Sequence, residues 1–341
     1  MPGDSRRVPG PQDSRSPHWY GKQPPQHQET GTRQDGRADH DLRPVYLHAG
    51  VVSQATGSAY IELGQTKVIA AVYGPREIAR REEFTMKGRL CCELKFATFS
   101  CRRRRQHMQD NQEKDVSLIV LQALEPAVCL VSGGFLLITK QGMCVADLVQ
   151  IYLSLIRSVL VYGHVLLDRF PKSQVDVYIT VLQDDGSALA AAITCAAAGL
   201  ADAGVMMYDV VTGCSVRQCG DRQLLDPSGS EESSQEGEGV EDHGMVTVGL
   251  LPSLNQVSAL VLDGHLPQTT AVQLVSLVSA LVLDGHLQQQ TAVQAVKTCI
   301  GGCQGIYPIL KDCLVKSTRR KVPAVDPTLI RTSIDGQNGR T

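Results

Sequence analysis

From Arg43 onward the apolar positions fall into short runs with a period of two. Gly57–Gly64 (GSAYIELG) and Thr66–Pro75 (TKVIAAVYGP) are bounded by Gly and Pro and separated by Gly64-Gln65. That pattern predicts a β-hairpin. Gly88–Ser100 and Ser173–Gln183 read as further strands, as do Met245–Leu254 and the segment NQVSALVLDG that follows it. Between these runs the period lengthens. In Glu113–Val128, Val116, Ile119, Val120 and Leu124 share one helical face, and the pattern stops at Pro126. Ser187–Val205 predicts a helix so rich in alanine that it must pack closely against a neighbour. A long amphipathic helix is expected from about Thr291 to Lys316. Strands and helices mixed in this order predict an α+β fold, a sheet covered by helices on one side.

The flanks and four internal segments depart from this pattern. Residues 1–42 are Pro, Gln, Arg, Asp and Gly in quick succession, with hardly an apolar residue beyond Trp19 and Tyr20. Such a stretch cannot repay the entropy of ordering, so a disordered arm is expected, with order beginning near Arg43. Residues 322–341 read as a disordered tail. Cys129–Leu167 is strongly apolar, yet Lys140, Asp147 and Arg157 interrupt it. Its charge-free stretch from Cys129 falls short of the ~18 apolar residues of a spanning helix. A membrane-associated interaction protein defined by this segment is therefore a weak reading, and no membrane contact is expected. Val257–Leu277 recurs as Val278–Thr298, a tandem duplication with a shift of 21 residues. Two copies do not build a solenoid, so one copy is expected in the sheet and the other looped out. The acidic, Ser- and Gly-rich stretch 226–244, with Glu231, Glu232, Glu236, Glu238, Glu241 and Asp242, reads as a solvated loop between strands.

Composition narrows the function classes. With 33 basic and 35 acidic side chains the formal charge is −2, so any nucleic-acid contact must come from a local patch. Aromatic residues make up only 4%, which argues against a surface built from base-stacking platforms. The 11 cysteines include no C-x-x-C pair, and neither Cys214 with Cys219 nor Cys299 with Cys303 has histidine companions for zinc. Reduced thiols in the cytosol or nucleus are expected. No metal and no cofactor is implied.

Two features carry candidate chemistry. Between Arg76 and Arg105 there are ten basic residues against four acids, a balance of +6, ending in Arg102, Arg103, Arg104 and Arg105 straight after a strand. Guanidinium groups in a loop suit phosphate oxygens and would give salt-sensitive, sequence-independent RNA affinity. A localisation signal or a solvated loop is the plainer reading. The second feature is Val181–Ile193 (VLQDDGSALAAAI), where a strand delivers Asp184 and Asp185 to a Gly turn that opens a helix. A helix N-terminus favours anions. The carboxylates there suit a metal, an acid role or simple helix capping, with Ser187 as another cap.

Together these segments resemble RNase PH-like proteins, and within them the ring subunits of the eukaryotic exosome. The likeness begins at RPVYLHAGVVSQATGSAYIELGQTKVIAAVYGP. It continues in order through GRLCCELKFATFSCRRRR, EKDVSLIVLQALEPAV, VDVYITVLQDDGSALAAAITCAAAGLADAGVMMYDVVTGCSV and LLPSLNQV, covering about Arg43 to Lys321. The resemblance implies a βαβα fold like domain 2 of ribosomal protein S5. It implies partnership with other RNase PH-like ring subunits, S1/KH-domain caps and threaded RNA (ribosomal, messenger and non-coding), in nucleus, nucleolus and cytoplasm. In this setting Arg102–Arg105 resemble the basic loops that line the pore.

Active relatives carry arginines on the helix matching Asp115–Pro126, where this chain has Leu118, Gln122 and Glu125. Of the two acids around the active strand, Thr180 replaces the first and Asp185 retains the second. Ser187, Ala188 and Leu189 stand in place of the Gly-Thr-Arg phosphate clamp. Phosphorolysis brings an anion onto an anionic backbone and needs fixed positive charge. Asp185 is thus a vestigial candidate, and the resemblance implies a non-catalytic subunit, with an active phosphorolytic 3′-to-5′ exoribonuclease as the alternative. Family members join LEPAV to DRFPKSQVDV by only a few residues, so a translated intron explains Cys129–Leu167 better than an evolved helix.

Overall fold

The computed structural model describes residues 33, 35–77, 88–101, 104–105, 108–128, 173–219, 222–233, 243–263, 281–284 and 289–321. The apolar insert 129–167, residues 1–32 of the arm, the tail 322–341, Arg102, Arg103 and the acidic stretch from 234 to 242 lie outside the described residues.

Two five-stranded sheets form the frame. The first is ordered β1-β2-β3-β5-β4 and contains β1 (Val45–Ala49), β2 (Gly57–Leu63), β3 (Thr66–Glu77), β4 (Arg89–Phe96) and β5 (Ser173–Gln183). The expected hairpin is β2–β3, antiparallel from Gly57 opposite Val72 to Leu63 opposite Thr66. β5 runs antiparallel to β3 and parallel to β4. One face of this sheet is apolar and closed. Ala59, Ile61, Val68, Ala70, Val72, Leu94, Val177, Ile179 and Val181 are all buried there, as the period-two pattern requires.

Helix α1 (Asn111–Leu124) and helix α2 (Ala188–Asp202) contribute to this core. At the start of α1, Asp110 and Glu113 form a reciprocal capping box. Glu113 also accepts from the Phe96 amide at 3.0 Å, pinning the helix start to the end of β4. Helix α2 lies between the sheets, against β2 and β3 on one side and β6 and β8 on the other. Its run from Ala190 to Leu200 is wholly buried, so small side chains set the close approach on both sides.

The second sheet is ordered β10-β9-β8-β6-β7. Its strands are β6 (Thr212–Cys219), β7 (Arg222–Leu225), β8 (His243–Leu251), β9 (Gln256–Asp263) and β10 (Leu281–Asp284). A five-residue helix, α3 (Gly229–Ser233), lies between β7 and β8. Helix α4 (Gln289–Lys321) covers Cys214, Val216, Val246, Val248, Leu260 and Leu262 with Ala295, Cys299 and Cys303. Near its C-terminus Ser317 and Lys321 bind Asp202 at the end of α2, each at 2.7 Å. No helix among the described residues is long and apolar enough to cross a membrane.

Three sequence expectations change. Packed structure starts before Arg43: Arg33 is buried, and its guanidinium binds the Leu225 carbonyl at 2.8 Å and the Glu231 carboxylate at 2.7 and 2.9 Å. Charge pairing rather than apolar burial holds this part of the arm, so hydropathy does not reveal it. The start of the 226–244 stretch is not a solvated loop, because Asp226 is buried and Glu231 is bound to Arg33. The second repeat copy is not simply looped out, since Leu281–Asp284 pairs with β9.

Candidate functional site

The parallel pairing of β4 with β5 sends both strands out of the sheet at the same end. The Asp184–Ser187 turn and the start of the arginine loop therefore meet. The Asp184 amide donates to the Ser100 carbonyl at 3.0 Å, and the Cys101 thiol lies 3.7 Å from Asp184 Oδ2. Arg105 doubles back, its amide donating to the Thr98 carbonyl at 3.2 Å and its guanidinium stacking 4.3 Å from the Phe96 ring centroid. Arg104 is exposed, and so is Phe99 at 61%. The low aromatic content hid this last feature: one exposed ring beside guanidinium groups needs no aromatic-rich composition.

Neither aspartate caps α2. Asp184 Oδ1 accepts from the Gly186 amide at 3.2 Å, closing a local turn. Gly186 takes φ 82°, and a Cβ there would stand 2.5 Å from the Pro227 carbonyl, so only glycine fits the turn. Ser187 occupies the N-cap position with a left-handed φ of 55° and makes no side-chain cap. Its hydroxyl is 3.3 Å from the Pro227 carbonyl. Its amide, the first donor at the helix N-terminus, points instead at Glu232 Oε1 at 2.7 Å. The anion position at the head of α2 is thus filled by a carboxylate of the chain itself. Arg217 donates to the Glu232 carbonyl and helps hold α3 in place. Burial pushes the Glu232 carboxyl up to about 7, against the pull of the Ser187 amide.

Asp185 is half-buried. Burial raises its carboxyl above the ordinary range, partly offset by Arg43, whose Nη1 is 3.9 Å from Asp185 Oδ2. Arg43 is the cation that sequence reasoning missed. It lies at the start of the ordered pattern, 142 positions from Asp185, and no motif signals its role. It is already committed. Its Nε and Nη2 grip Asp226 at 2.8 and 2.6 Å, Nη1 donates to the Asp185 carbonyl at 2.7 Å, and Nη2 reaches the Gly186 carbonyl at 3.1 Å. Thr66 completes the clamp, donating to the Gly186 carbonyl at 2.7 Å and accepting from the Asp185 amide at 3.1 Å. Burial opposes charge on Asp226, but the Arg43 bonds outweigh it and hold the carboxyl below its usual range.

The result is a turn ringed by Asp184, Asp185, Asp226, Glu231 and Glu232, with Arg33 and Arg43 bound to Glu231 and Asp226. Arg37 leans on the same Asp226 at 3.9 Å. Of the three helix positions that the resemblance singles out, Leu118 lines a cleft of about 440 Å³ between α1 and strands β4 and β5, together with Cys91, Lys114 and Tyr178. Arg76, at the far end of the basic segment, pairs with Asp176.

Comparison with known proteins agrees with this frame. Residues 41–206 match the 3′ exoribonuclease family, domain 1. The chain is 35% identical over 342 residues to "Exosome complex component MTR3" of Homo sapiens, covering 96% of this chain and 100% of that protein. It is 35% identical over 242 residues to "Exosome complex component RRP41 homolog" of Arabidopsis thaliana, covering 70% of this chain and 82% of that protein. Among solved structures it shares the fold of rice (Oryza sativa) Rrp46, with a TM-score of 0.56 and 19% identity over 83% of this chain and 100% of that one. It also shares the fold of a chain from the Archaeoglobus fulgidus exosome with RNA bound to the active site, with a TM-score of 0.57 and 17% identity over 82% and 92%. The chain belongs to the RNase PH family of 3′ exoribonucleases.

Proposed function

We propose that this protein is a non-catalytic ring subunit of the exosome, the MTR3-like member known as exosome component six. It assembles with other RNase PH-like subunits and S1/KH-domain caps and threads RNA toward a nuclease supplied elsewhere. Processing and decay of ribosomal, messenger and non-coding RNA in nucleus, nucleolus and cytoplasm follow from that role. Full-length similarity to an exosome component supports the assembly reading.

The observation that carries the non-catalytic reading is Glu232 on the Ser187 amide. Phosphorolysis needs inorganic phosphate fixed beside the terminal phosphodiester, with cations and donors to offset the repulsion between them. Here the first donor of α2 is occupied, and Arg43 is neutralised by Asp226. Glu232 takes the amide that phosphate would need, and in its ionised form it also repels an arriving anion. Asp185 then has no bound nucleophile on which to act.

Arg102–Arg105 are the proposed RNA contacts. The loop that carries them leaves the sheet beside the occupied anion position, with Arg104 exposed and Arg105 braced on Phe96. Copurification of the tagged chain followed by mass spectrometry tests the assembly. RNase PH-like and S1/KH-domain partners should appear in comparable amounts. Recovery of the chain alone, or only with copies of itself, would overturn the reading.

A further inference from the structure

The tandem repeat places matching parts of two identical segments side by side in the second sheet. Val257–Leu266 and Val278–Leu287 both read VSALVLDGHL. The first copy supplies β9 and the second β10, and the two strands pair in parallel. Leu260 lies beside Leu281, Val261 beside Val282, Leu262 beside Leu283 and Asp263 beside Asp284. Each residue thus faces its own counterpart, and the register of the pair equals the repeat shift. β9 is an interior strand with β8 on its other side, whereas β10 forms the edge.

The β9 position makes specific demands. Leu260 and Leu262 are each 1% exposed and share the core with Val246, Val248, Cys299 and Cys303. Ala259 is buried in the core that includes α2. On the β8 ladder, Val246 faces Leu262, Val248 faces Leu260, Gly249 faces Ala259 and Leu250 faces Val257. The second copy would bring Leu283, Leu281, Ala280 and Val278 to the same rungs, side chain for side chain. The first difference arises at Leu251, opposite Gln256 in this arrangement and opposite Leu277 in the other.

Beyond that rung and the four-residue edge pairing of β10 with β9, the connections distinguish the two threadings. Residues 252–255 now join β8 to β9, and residues 264–288 separate β9 from α4. With the second copy in the slot, residues 285–288 would lead straight into α4, and the extra length would fall between β8 and its partner. Closure entropy grows only with the logarithm of loop length, so this transfer changes little. Register is normally fixed because a slip turns apolar side chains to the wrong face. A slip of one whole repeat exacts no such cost.

We propose that the β9 position is a slot with two interchangeable occupants, and that the chain exchanges between threadings of near-equal stability, the displaced copy passing into the connection. The test uses the full chain with Leu260→Asp, Leu281→Asp and both together. In a single fixed threading, Leu260→Asp buries an unpaired carboxylate in the core. With two occupants, the second copy takes over. Each single variant should then melt within about 3 °C of the parent. Hydrogen exchange on Leu260→Asp should show protection moved from residues 257–263 to 278–284, and the double variant should lose its cooperative transition. If Leu260→Asp alone is as damaging as the double variant, or folds with protection still on residues 257–263, the proposal is overturned.

Discussion

Glu232 combines two properties that a surface glutamate lacks: a backbone amide as partner and a carboxyl raised to about 7 from an ordinary 4.5. Because its pKa is higher folded than unfolded, its contribution to stability is fully present below about 4.5 and is lost as pH rises through about 7. Glu232→Gln keeps the acceptor for Ser187 and removes the titration. Unfolding free energies from urea titrations at pH 5 and pH 8 should therefore converge in the variant, relative to the parent, by on the order of 2 kcal/mol after discounting for residual solvent. An unchanged pH dependence would mean that the carboxyl does not titrate in this range. Arg43 makes the opposite kind of contribution. Its bidentate pair with Asp226 is buried on both sides, so Arg43→Met should destabilise by about 3 kcal/mol, leaving Asp226 with the main-chain amide of residue 43 at 3.1 Å and Arg37 at 3.9 Å. The double variant Arg43→Met/Asp226→Asn should recover much of that loss. Equal damage in single and double variants would show that Arg43 acts through packing rather than charge.

At the scale of elements, the position of α2 decides whether the Asp184–Ser187 turn is presented at all. A Cβ at Gly213 of β6 would stand 2.6 Å from the Ala190 carbonyl oxygen and 3.0 Å from the Ala190 Cα, both main-chain atoms. Gly213→Ala should cost about 1–3 kcal/mol in urea unfolding. A neutral result would mean that the sheet can move away from the helix. Elements whose apolar spacing matches their burial were legible in the chain. β2, β3 and β5 follow the alternation, and α1 and α2 follow their apolar faces to within a few residues. β6 was not legible, because Thr212, Ser215 and Gln218 are buried polar residues that break the alternation. Ser215 reaches Thr247 hydroxyl to hydroxyl at 2.9 Å, a partner set by sheet pairing. The candidate site was half legible. Asp184, Asp185 and the arginine run are visible as motifs, whereas Arg33, Arg43 and Glu232 act through contacts 198, 183 and 45 positions distant. Spacing along a chain carries no sign of these.

At the scale of the whole molecule, the proposed role joins a basic loop to a helix N-terminus whose first amide is taken by Glu232. Replacing Arg102–Arg105 by alanine in the assembled ring should weaken RNA protection and flatten its dependence on salt, because each phosphate contact contributes to that slope. Identical binding across the salt series would assign the loop a solvated role. Stability should remain close to the parent's, since Arg104 is exposed and Arg105 rests against one ring.

The most direct measurement of the central claim is the release of nucleoside diphosphates from an RNA 3′ end by the purified protein in the presence of inorganic phosphate. The parent chain and Asp185→Ala should give the same background, with no dependence on phosphate. Phosphate-dependent release that disappears in Asp185→Ala would show a working phosphorolytic centre and contradict the account.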